Sequence, residues 1–142
     1  MIAGFPNESE KDHKDTLSLM EKVKYSFGYM FKYSERPGTP AARKLDDNID
    51  EMTKSRRLSE IVELQQKHSL FRSKQFIGNT VEVLIEKESK KSSSHWAGKN
   101  QQNSTVVFPK ENYRIGEFVN VKISDCTSAT LVGVATGYSK NN

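Results

Sequence analysis

The sequence predicts an α/β segment followed by an all-β segment: strand–helix units of a TIM-like parallel barrel, then a small five-stranded OB-like barrel. Three observations predict this class. Turn residues precede a helical apolar pattern near the start, a second helical pattern covers residues 48–76, and short alternating strands fill the rest. The predicted domains are residues 1–72 and 73–137, with a flexible tail at 138–142.

The first strand–helix unit is predicted from residues 1–24. Met1–Pro6 has the pattern of a buried strand that runs directly into a loop. Ser9 and Asp12 have the spacing of a capping box, with Asp in place of the usual Glu. Apolar residues at 17, 20 and 23 follow at helical spacing, so a helix is expected.

Residues 25–34 alternate aromatic and mostly small or polar side chains, which is the period of a β-strand. We expect the aromatic face to pack in the core between the sheet and the helices. A base-stacking platform is the alternative for this face. The segment Glu35–Pro40 then reads as a loop, and Gly78 suits the left-handed stop of the helix predicted over 48–76.

Residues 1–76 amount to about two strand–helix units, whereas a closed eight-unit barrel needs about 250 residues. Two units cannot close their own sheet. The sequence therefore predicts that an N-terminal portion of the parallel barrel is missing from this stretch.

The second half is predicted to be all-β, with short strands near 80–86, 95–101, 105–108, 118–123 and 129–135. The segment 88–94 is polar and basic and is predicted as a loop. Five short strands in this length favour a small closed or nearly closed barrel.

Composition narrows the function. The 142 residues carry a formal net charge of +4, of which residues 73–142 contribute +3, with 9 basic and 6 acidic side chains. This excess favours an anionic partner. Cys126 is the only cysteine, which excludes an intrachain disulfide and a cysteine cluster, and the three histidines lack ligand spacing. No metal site, membrane span or secretory signal is expected, and a cytoplasmic location is the expectation.

Two segments carry a family resemblance. Gly4-Phe5-Pro6-Asn7-Glu8-Ser9 resembles the Gly-Phe-Pro-Gly-Glu-Thr turn of the MiaB-type radical-SAM tRNA methylthiotransferases. Residues 33–41, Tyr-Ser-Glu-Arg-Pro-Gly-Thr-Pro-Ala, resemble their Tyr-Ser-x-Arg-x-Gly-Thr-x-Ala motif. Residues 58–78 look like the family's linking helix and residues 79–136 like its closing TRAM domain. Asn7, Ser9 and His13 depart from the family pattern but still permit a turn and a helix start.

The resemblance implies the C-terminal part of an enzyme that methylthiolates N6-isopentenyladenosine beside the anticodon of a tRNA. It implies S-adenosylmethionine and two 4Fe–4S clusters as cofactors of the parent enzyme. Clusters of this kind need cysteine thiolates, so this stretch holds neither of them and is expected to be inactive alone, with no catalytic residue of its own. Its implied partners are tRNA and the N-terminal part of the same enzyme.

The resemblance also places two loops of the first half against S-adenosylmethionine and the substrate. We expect loop residues of these two motifs to face them, namely Gly4, Phe5, Pro6, Glu8, Tyr33, Ser34, Arg36, Gly38 and Thr39. Glu8 can accept a hydrogen bond from a ribose or an amine, or it can cap the helix. Arg36 can pair with a carboxylate or phosphate, or it can brace the loop. Tyr33 either packs against neighbouring side chains or contacts the substrate, and the sequence favours neither alternative.

In the second half, four lysines are the candidates for phosphate contacts: Lys87, Lys90, Lys91 and Lys99. Trp96 lies beside them in sequence and either stacks on a base or packs against the small barrel.

Two other functions stay open. A related methylthiotransferase would act on threonylcarbamoyladenosine or on a ribosomal protein. A stand-alone RNA-binding module without catalysis is the alternative from a different class.

Overall fold

The computed structural model describes residues 1–141 and divides the chain into two compact units, Met1–Ser69 and the residues from Leu70 onward. The first unit contains strands β1 and β2 and helices α1 and α2, and α3 begins in it. Their bounds are β1 Ile2–Ala3, α1 Glu10–Val23, β2 Phe31–Lys32, α2 Pro40–Lys44 and α3 Glu51–Lys74.

Helix α1 begins as the sequence predicts. The Ser9 side chain accepts from the Asp12 backbone N–H, and the Asp12 carboxylate accepts from the Ser9 N–H, so both halves of the capping box form. The core of this unit consists of Ala3, Met20 and Ile61, with partly buried apolar side chains around it.

The strand predicted over 25–34 is wrong in extent, because only Phe31–Lys32 is a strand. A strand needs a paired neighbour, and β2 pairs in parallel only with the two residues of β1. The predicted aromatic core face is also wrong: Met30 packs on the core, while Phe27, Tyr29 and Phe31 are 59%, 74% and 61% exposed.

Helix α2 was not expected from the sequence. Thr39 caps it by accepting from the Ala42 N–H, and Pro40 occupies its first turn. A threonine followed by proline is a recognisable helix start, so the signal was present in the predicted loop.

The second unit is a closed five-stranded barrel in the order β3–β4–β5–β7–β6, which confirms the predicted small barrel. Its strands are β3 Thr80–Ser89, β4 Ser92–Lys99, β5 Thr105–Pro109, β6 Phe118–Cys126 and β7 Thr130–Tyr138. All neighbouring strands are antiparallel except β5 and β7. Alternate residues of the strands fill the interior, including Val83, Phe108, Val121 and Leu131.

The barrel closes tightly at two glycines. A Cβ on Gly98 would lie 2.2 Å from the Leu84 carbonyl oxygen, and a Cβ on Gly133 would lie 2.2 Å from that of Lys122. Glycine at these positions lets neighbouring strands approach where a side chain would clash.

The structure differs from the prediction in two segments of the second unit. The predicted loop 88–94 is instead a tight hairpin, because Ser89 pairs with Ser92 across a turn at Lys90 and Lys91. Strand pairing there outweighs the low β-propensity of these residues. Within the predicted tail, Tyr138 ends β7 and the Ser139 N–H donates to the Phe118 carbonyl at 3.0 Å, while Asn142 lies outside the described residues.

Candidate nucleic-acid interface and loop cluster

The outer face of the barrel carries a cleft of about 530 Å³. It is formed by β3, the β3–β4 turn, β4, β5, the turn between β6 and β7, and the start of β7. Charged and hydroxyl-bearing side chains line it together with a few small apolar ones. Its size falls within the roughly 300–1,000 Å³ typical of ligand pockets.

Strand register builds this cleft from residues that are far apart in sequence. One row runs across four strands, because Lys87 pairs with Ala97, Ala97 with Val107, and Val107 with Val132. Neighbouring strands lie roughly 4.8 Å apart, so the row is about 14 Å long. It places a positive charge at one end of an apolar strip.

A second row runs parallel to the first and is polar. Lys99 pairs with Thr105, and Thr105 pairs with Thr130. The Lys99 ammonium donates to the Thr105 hydroxyl at 2.8 Å and approaches the Asn103 carbonyl at 3.4 Å. These contacts hold Lys99 beside the cleft.

Four of the predicted RNA-binding residues therefore meet in one place. Lys87, Lys90 and Lys91 are exposed, and within residues 1–141 their ammonium groups have no hydrogen-bond or ion-pair partner. Glu86 is the acidic residue among the lining residues. The cleft thus presents uncompensated positive charge, which attracts an anion.

Trp96 is not part of this cleft. It packs against the barrel core, and its indole N–H donates to the Tyr113 carbonyl at 2.9 Å. The Lys110 ammonium lies 4.3 Å from the centre of its ring, in cation–π contact. The packing alternative from the sequence describes this geometry, and base stacking by Trp96 stays a prediction without support from its position.

His95 lines the cleft and was not among the predicted site residues. Its Nδ1 lies 3.0 Å from the Ser92 hydroxyl and 2.9 Å from the Ser94 hydroxyl. These two hydrogen bonds orient the imidazole at the edge of the cleft.

In the first unit, the two family-like segments lie side by side. Strands β1 and β2 are parallel neighbours, and the Tyr33 N–H donates to the Ala3 carbonyl at 2.8 Å. The segments that follow them meet where the rings of Phe5 and Tyr33 stand 5.2 Å apart in an edge-to-face contact. Pro6 is buried in the first of these loops.

Glu8 anchors the first loop rather than capping α1. Its Oε1 accepts from the Gly4 N–H at 3.0 Å and from Arg57 Nη1 at 2.8 Å. The same nitrogen of Arg57 donates to the Glu8 carbonyl at 2.8 Å. Arg57 is buried, so this ion pair fixes the loop to α3 in a partly desolvated place.

Glu10 extends the same ion-pair cluster at the surface. Hydrogen bonds from Arg56 and then Arg57 lower the pKa of Glu10 from 4.5 to about 2. Its oxygen Oε2 lies 2.7 Å from Arg56 Nη2 and 3.1 Å from Arg57 Nη2. Arg56 also pairs with Glu60, which in turn contacts the buried His13 at 2.5 Å. The hydrogen bond from His13, followed by that from Arg56, lowers the pKa of Glu60.

Lys54 packs against both loops, at Gly4 in the first and at Tyr33 in the second. It is only 1% exposed, and its ammonium donates to the Asp47 carboxylate at 2.6 Å and approaches the Tyr33 carbonyl at 3.5 Å. The hydrogen bond to Asp47 raises its pKa despite the opposing effect of burial. The ammonium also lies 5.4 Å from the centre of the Tyr33 ring.

The second loop is more open. Ser34 and Arg36 are exposed, and in the described chain the Arg36 guanidinium pairs with no carboxylate, so it does not brace the loop. Thr39 closes the turn by donating its hydroxyl to the Arg36 carbonyl at 2.9 Å. Gly38 has φ +85°, a left-handed conformation that favours glycine.

Sequence reasoning missed Lys54 and Arg57 because both lie on the mostly polar face of a helix. The available signal was their spacing three apart on α3, with acidic residues elsewhere that they could pair with.

Among the described residues no group of three or more His, Cys, Asp or Glu side chains could hold a metal ion. The helices of the described part are all too short or too polar to cross a membrane.

Comparison with known protein families identifies the type of domain that the small barrel forms. Residues 74–136 match the family model of the TRAM domain. This range begins at the last residue of α3. It includes the whole of β3 to β6 and all of β7 except its last two residues. The chain therefore carries a TRAM domain, which is the class of protein module that its small barrel defines.

The whole chain matches curated enzymes named tRNA-2-methylthio-N(6)-dimethylallyladenosine synthase. The protein of that name from Christiangramia forsetii is 68% identical over 142 residues, and that from Flavobacterium johnsoniae is 66% identical over 142 residues. Both matches cover 100% of this chain and 30% of the relative. The protein of the same name from Bacteroides fragilis is 49% identical over 133 residues. That match covers 94% of this chain and 29% of the relative's length. The chain matches the C-terminal portion of these relatives and spans about 30% of their length.

Proposed function

We propose that the chain is the C-terminal part of a radical-SAM enzyme that methylthiolates N6-isopentenyladenosine next to the anticodon of tRNA. The observation that carries this proposal is the match of the full 142 residues to relatives that bear this activity in their name. The dimethylallyl group in that name favours this substrate over threonylcarbamoyladenosine or a ribosomal protein.

The barrel of β3–β7 would bind the tRNA through its cleft. In OB-type barrels the face of the second and third strands and the loops beside it bind oligonucleotides. The cleft occupies the corresponding place, between the Lys90–Lys91 turn and the turn before β7. Three lysines without partners supply the positive charge that phosphates require.

The first unit would be the last part of the parent's catalytic barrel. A parallel sheet is ordinarily covered on both faces, yet β1 and β2 form a sheet of two short strands. Ile2 and Phe31, which pair across it, are 55% and 61% exposed. Exposed apolar side chains on a parallel sheet are expected where further strands and helices of the parent enzyme cover them.

The two loops after β1 and β2 would face S-adenosylmethionine and the target adenosine, since catalytic groups gather at the carboxyl ends of barrel strands. Glu8 is already bonded to Gly4 and Arg57, so its role there would be to hold the loop. Arg36 is the exposed cation of this region, and its fork of donors suits a phosphate or a carboxylate.

The cofactors would be held by other parts of the parent. Iron–sulfur clusters of this kind require several thiolates, and Cys126 is the only cysteine of the chain, so these residues do not fit either cluster. When bound in the parent, the clusters and S-adenosylmethionine would supply the radical chemistry that an aromatic C–H bond demands. The residues of this chain would position the loops and hold the tRNA.

Nucleoside mass spectrometry of tRNA treated with the full-length parent tests the activity. We expect the methylthio product from isopentenylated tRNA and none from tRNA carrying threonylcarbamoyladenosine. In the parent, changing Lys90 and Lys91 to Ala should raise KM for tRNA while leaving kcat nearly unchanged. Product only from the threonylcarbamoyl substrate would overturn the assignment.

A further inference from the structure

The cleft has more apolar surface than phosphate binding explains. Lys87 stands at one end of the row that continues through Ala97, Val107 and Val132. Val132 is 38% exposed, and Val107 lines the same cleft. A phosphate gains nothing from an aliphatic surface, so this strip calls for an apolar part of the ligand.

The edges of the strip carry directional hydrogen-bonding groups. The Thr127 hydroxyl accepts from the backbone N–H groups of Ala129 and Thr130, at 3.2 and 3.1 Å, which leaves its own hydrogen to donate. His95 uses Nδ1 for its hydrogen bonds to the Ser92 and Ser94 hydroxyls, so Nε2 is the ring nitrogen that a ligand can reach. Lone lysines recognise only charge, whereas these groups can recognise the edge of a base.

We propose that this cleft seats one unpaired nucleotide of a single-stranded RNA segment. Its phosphate would lie against Lys87, Lys90 and Lys91, and its base would lie on the Val107–Val132 strip, with a base edge toward Thr127 and Thr130. A duplex cannot fill the cleft in this way, because its bases are paired and stacked and no base face is free to lie on the strip. This inference rests on the proposed RNA binding by the barrel.

No Phe, Tyr or Trp side chain lines the cleft among residues 1–141, so the surface that would lie under the base is mainly aliphatic. Base stacking on aromatic residues is the usual device of single-strand binders. Here selectivity for single strands should therefore depend on Val107 and Val132, and it should be modest.

Fluorescence anisotropy of the 142-residue chain with two labelled RNAs tests the proposal. One probe is a single strand of about ten nucleotides, a length within the site sizes of OB-type barrels, and the other is the same sequence in a duplex. The key variant is Val132→Asn, which removes apolar surface without adding charge. Val134→Asn is its matched control, because Val134 is 50% exposed two residues along the same strand and lies outside the cleft.

The single strand should bind more tightly than the duplex, and Val132→Asn should weaken only the single strand, by about fivefold. Val134→Asn should change neither affinity. Thr130→Val serves as a second variant that keeps the β-branched shape, and it should also weaken only the single strand. Circular dichroism checks that each variant is folded.

The outcomes separate this inference from the proposed function. Equal binding of both probes, with Val132→Asn and Val134→Asn indistinguishable, would overturn the nucleotide site, and RNA binding would stand if its salt dependence persists. Binding of an acidic peptide as tightly as the single strand would assign the cleft to a protein partner and overturn the inference. No binding of either RNA would overturn both proposals.

Discussion

Gly4 and Lys54 fit together so closely that no larger residue can replace the glycine without a shift. A Cβ on Gly4 would lie 2.3 Å from Cγ of Lys54, well inside van der Waals contact. Gly4 also has φ +75°, which is strained for any residue with a side chain. The buried lysine and the glycine therefore form one structural unit beneath the two loops.

Gly4→Ala should destabilise the first unit by about 2–4 kcal/mol, combining left-handed strain with overpacking. Urea unfolding of the 142-residue chain, with amide hydrogen exchange of peptides from Met1–Ser69, measures the loss.

Gly38→Ala is the matched control for this change. Gly38 has φ +85° but nothing within 4 Å of an added Cβ, so it isolates the strain, at about 1 kcal/mol. Equal losses for the two variants would show that the approach of Lys54 contributes nothing.

Glu10 predicts an acid-sensitive step in the first unit. Its pKa in the folded chain is about 2, lowered from 4.5 by hydrogen bonds to Arg56 and Arg57. A lowered pKa means that the unfolded chain binds the proton more readily, so stability rises with pH. The contribution of Glu10 is present above pH 4.5 and is lost as pH falls toward about 2.

Glu10→Gln should therefore flatten the stability profile of the first unit between pH 4.5 and 2, measured by circular dichroism during urea unfolding at several pH values. Glu63→Gln is the control, because Glu63 is exposed on the same helix as Arg56 and forms no ion pair in the described chain. A wild-type profile for Glu10→Gln would refute the assignment of this acid step to Glu10.

Lys90 and Lys91 predict the salt dependence of RNA binding. Each phosphate contact contributes about 0.7–0.9 to the slope of log affinity against log salt concentration. Changing both lysines to Ala should lower that slope by about one to two. Filter binding of tRNA to the 142-residue chain over a range of salt concentrations measures it.

Lys122 and Lys140 provide a matched double control, since both are exposed and neither lines the cleft. Their replacement by Ala should leave the slope nearly unchanged. If the two double variants lower the slope equally, binding is a property of the overall charge and not of the cleft.

The sequence predicts the barrel well because its signal is local. Val119, Val121 and Ile123 alternate with polar residues in β6, and β3 has the same period except at Leu84. The cleft is less predictable, because its rows depend on which residues pair across strands. Lysines 87, 90, 91 and 99 are recognisable as a basic cluster, but Val107 and Val132 are brought together only by register.

The first unit shows the limit of periodicity more sharply. Tyr29 and Phe31 have the spacing of a strand with an aromatic core face, yet Met30 between them packs on the core. A period of two gives two faces and does not say which one is inside when the neighbouring strands are unknown. Buried Lys54 and Arg57 were missed for a related reason: their partners Asp47 and Glu8 are identified by tertiary contact.

Helix α3 should be essential for order in the residues before it. It supplies Ile61 to the core with Ala3 and Met20, Arg57 to Glu8, and Lys54 to the two loops. A fragment of residues 1–45 lacks all three contacts and retains only two short strands and helices too brief to be stable alone. Its amides should exchange with solvent almost as fast as in an unfolded chain, whereas the same residues in the 142-residue chain should be protected by α3. Hydrogen exchange followed by mass spectrometry compares the two, and strong protection in the fragment would mean that local interactions suffice without α3.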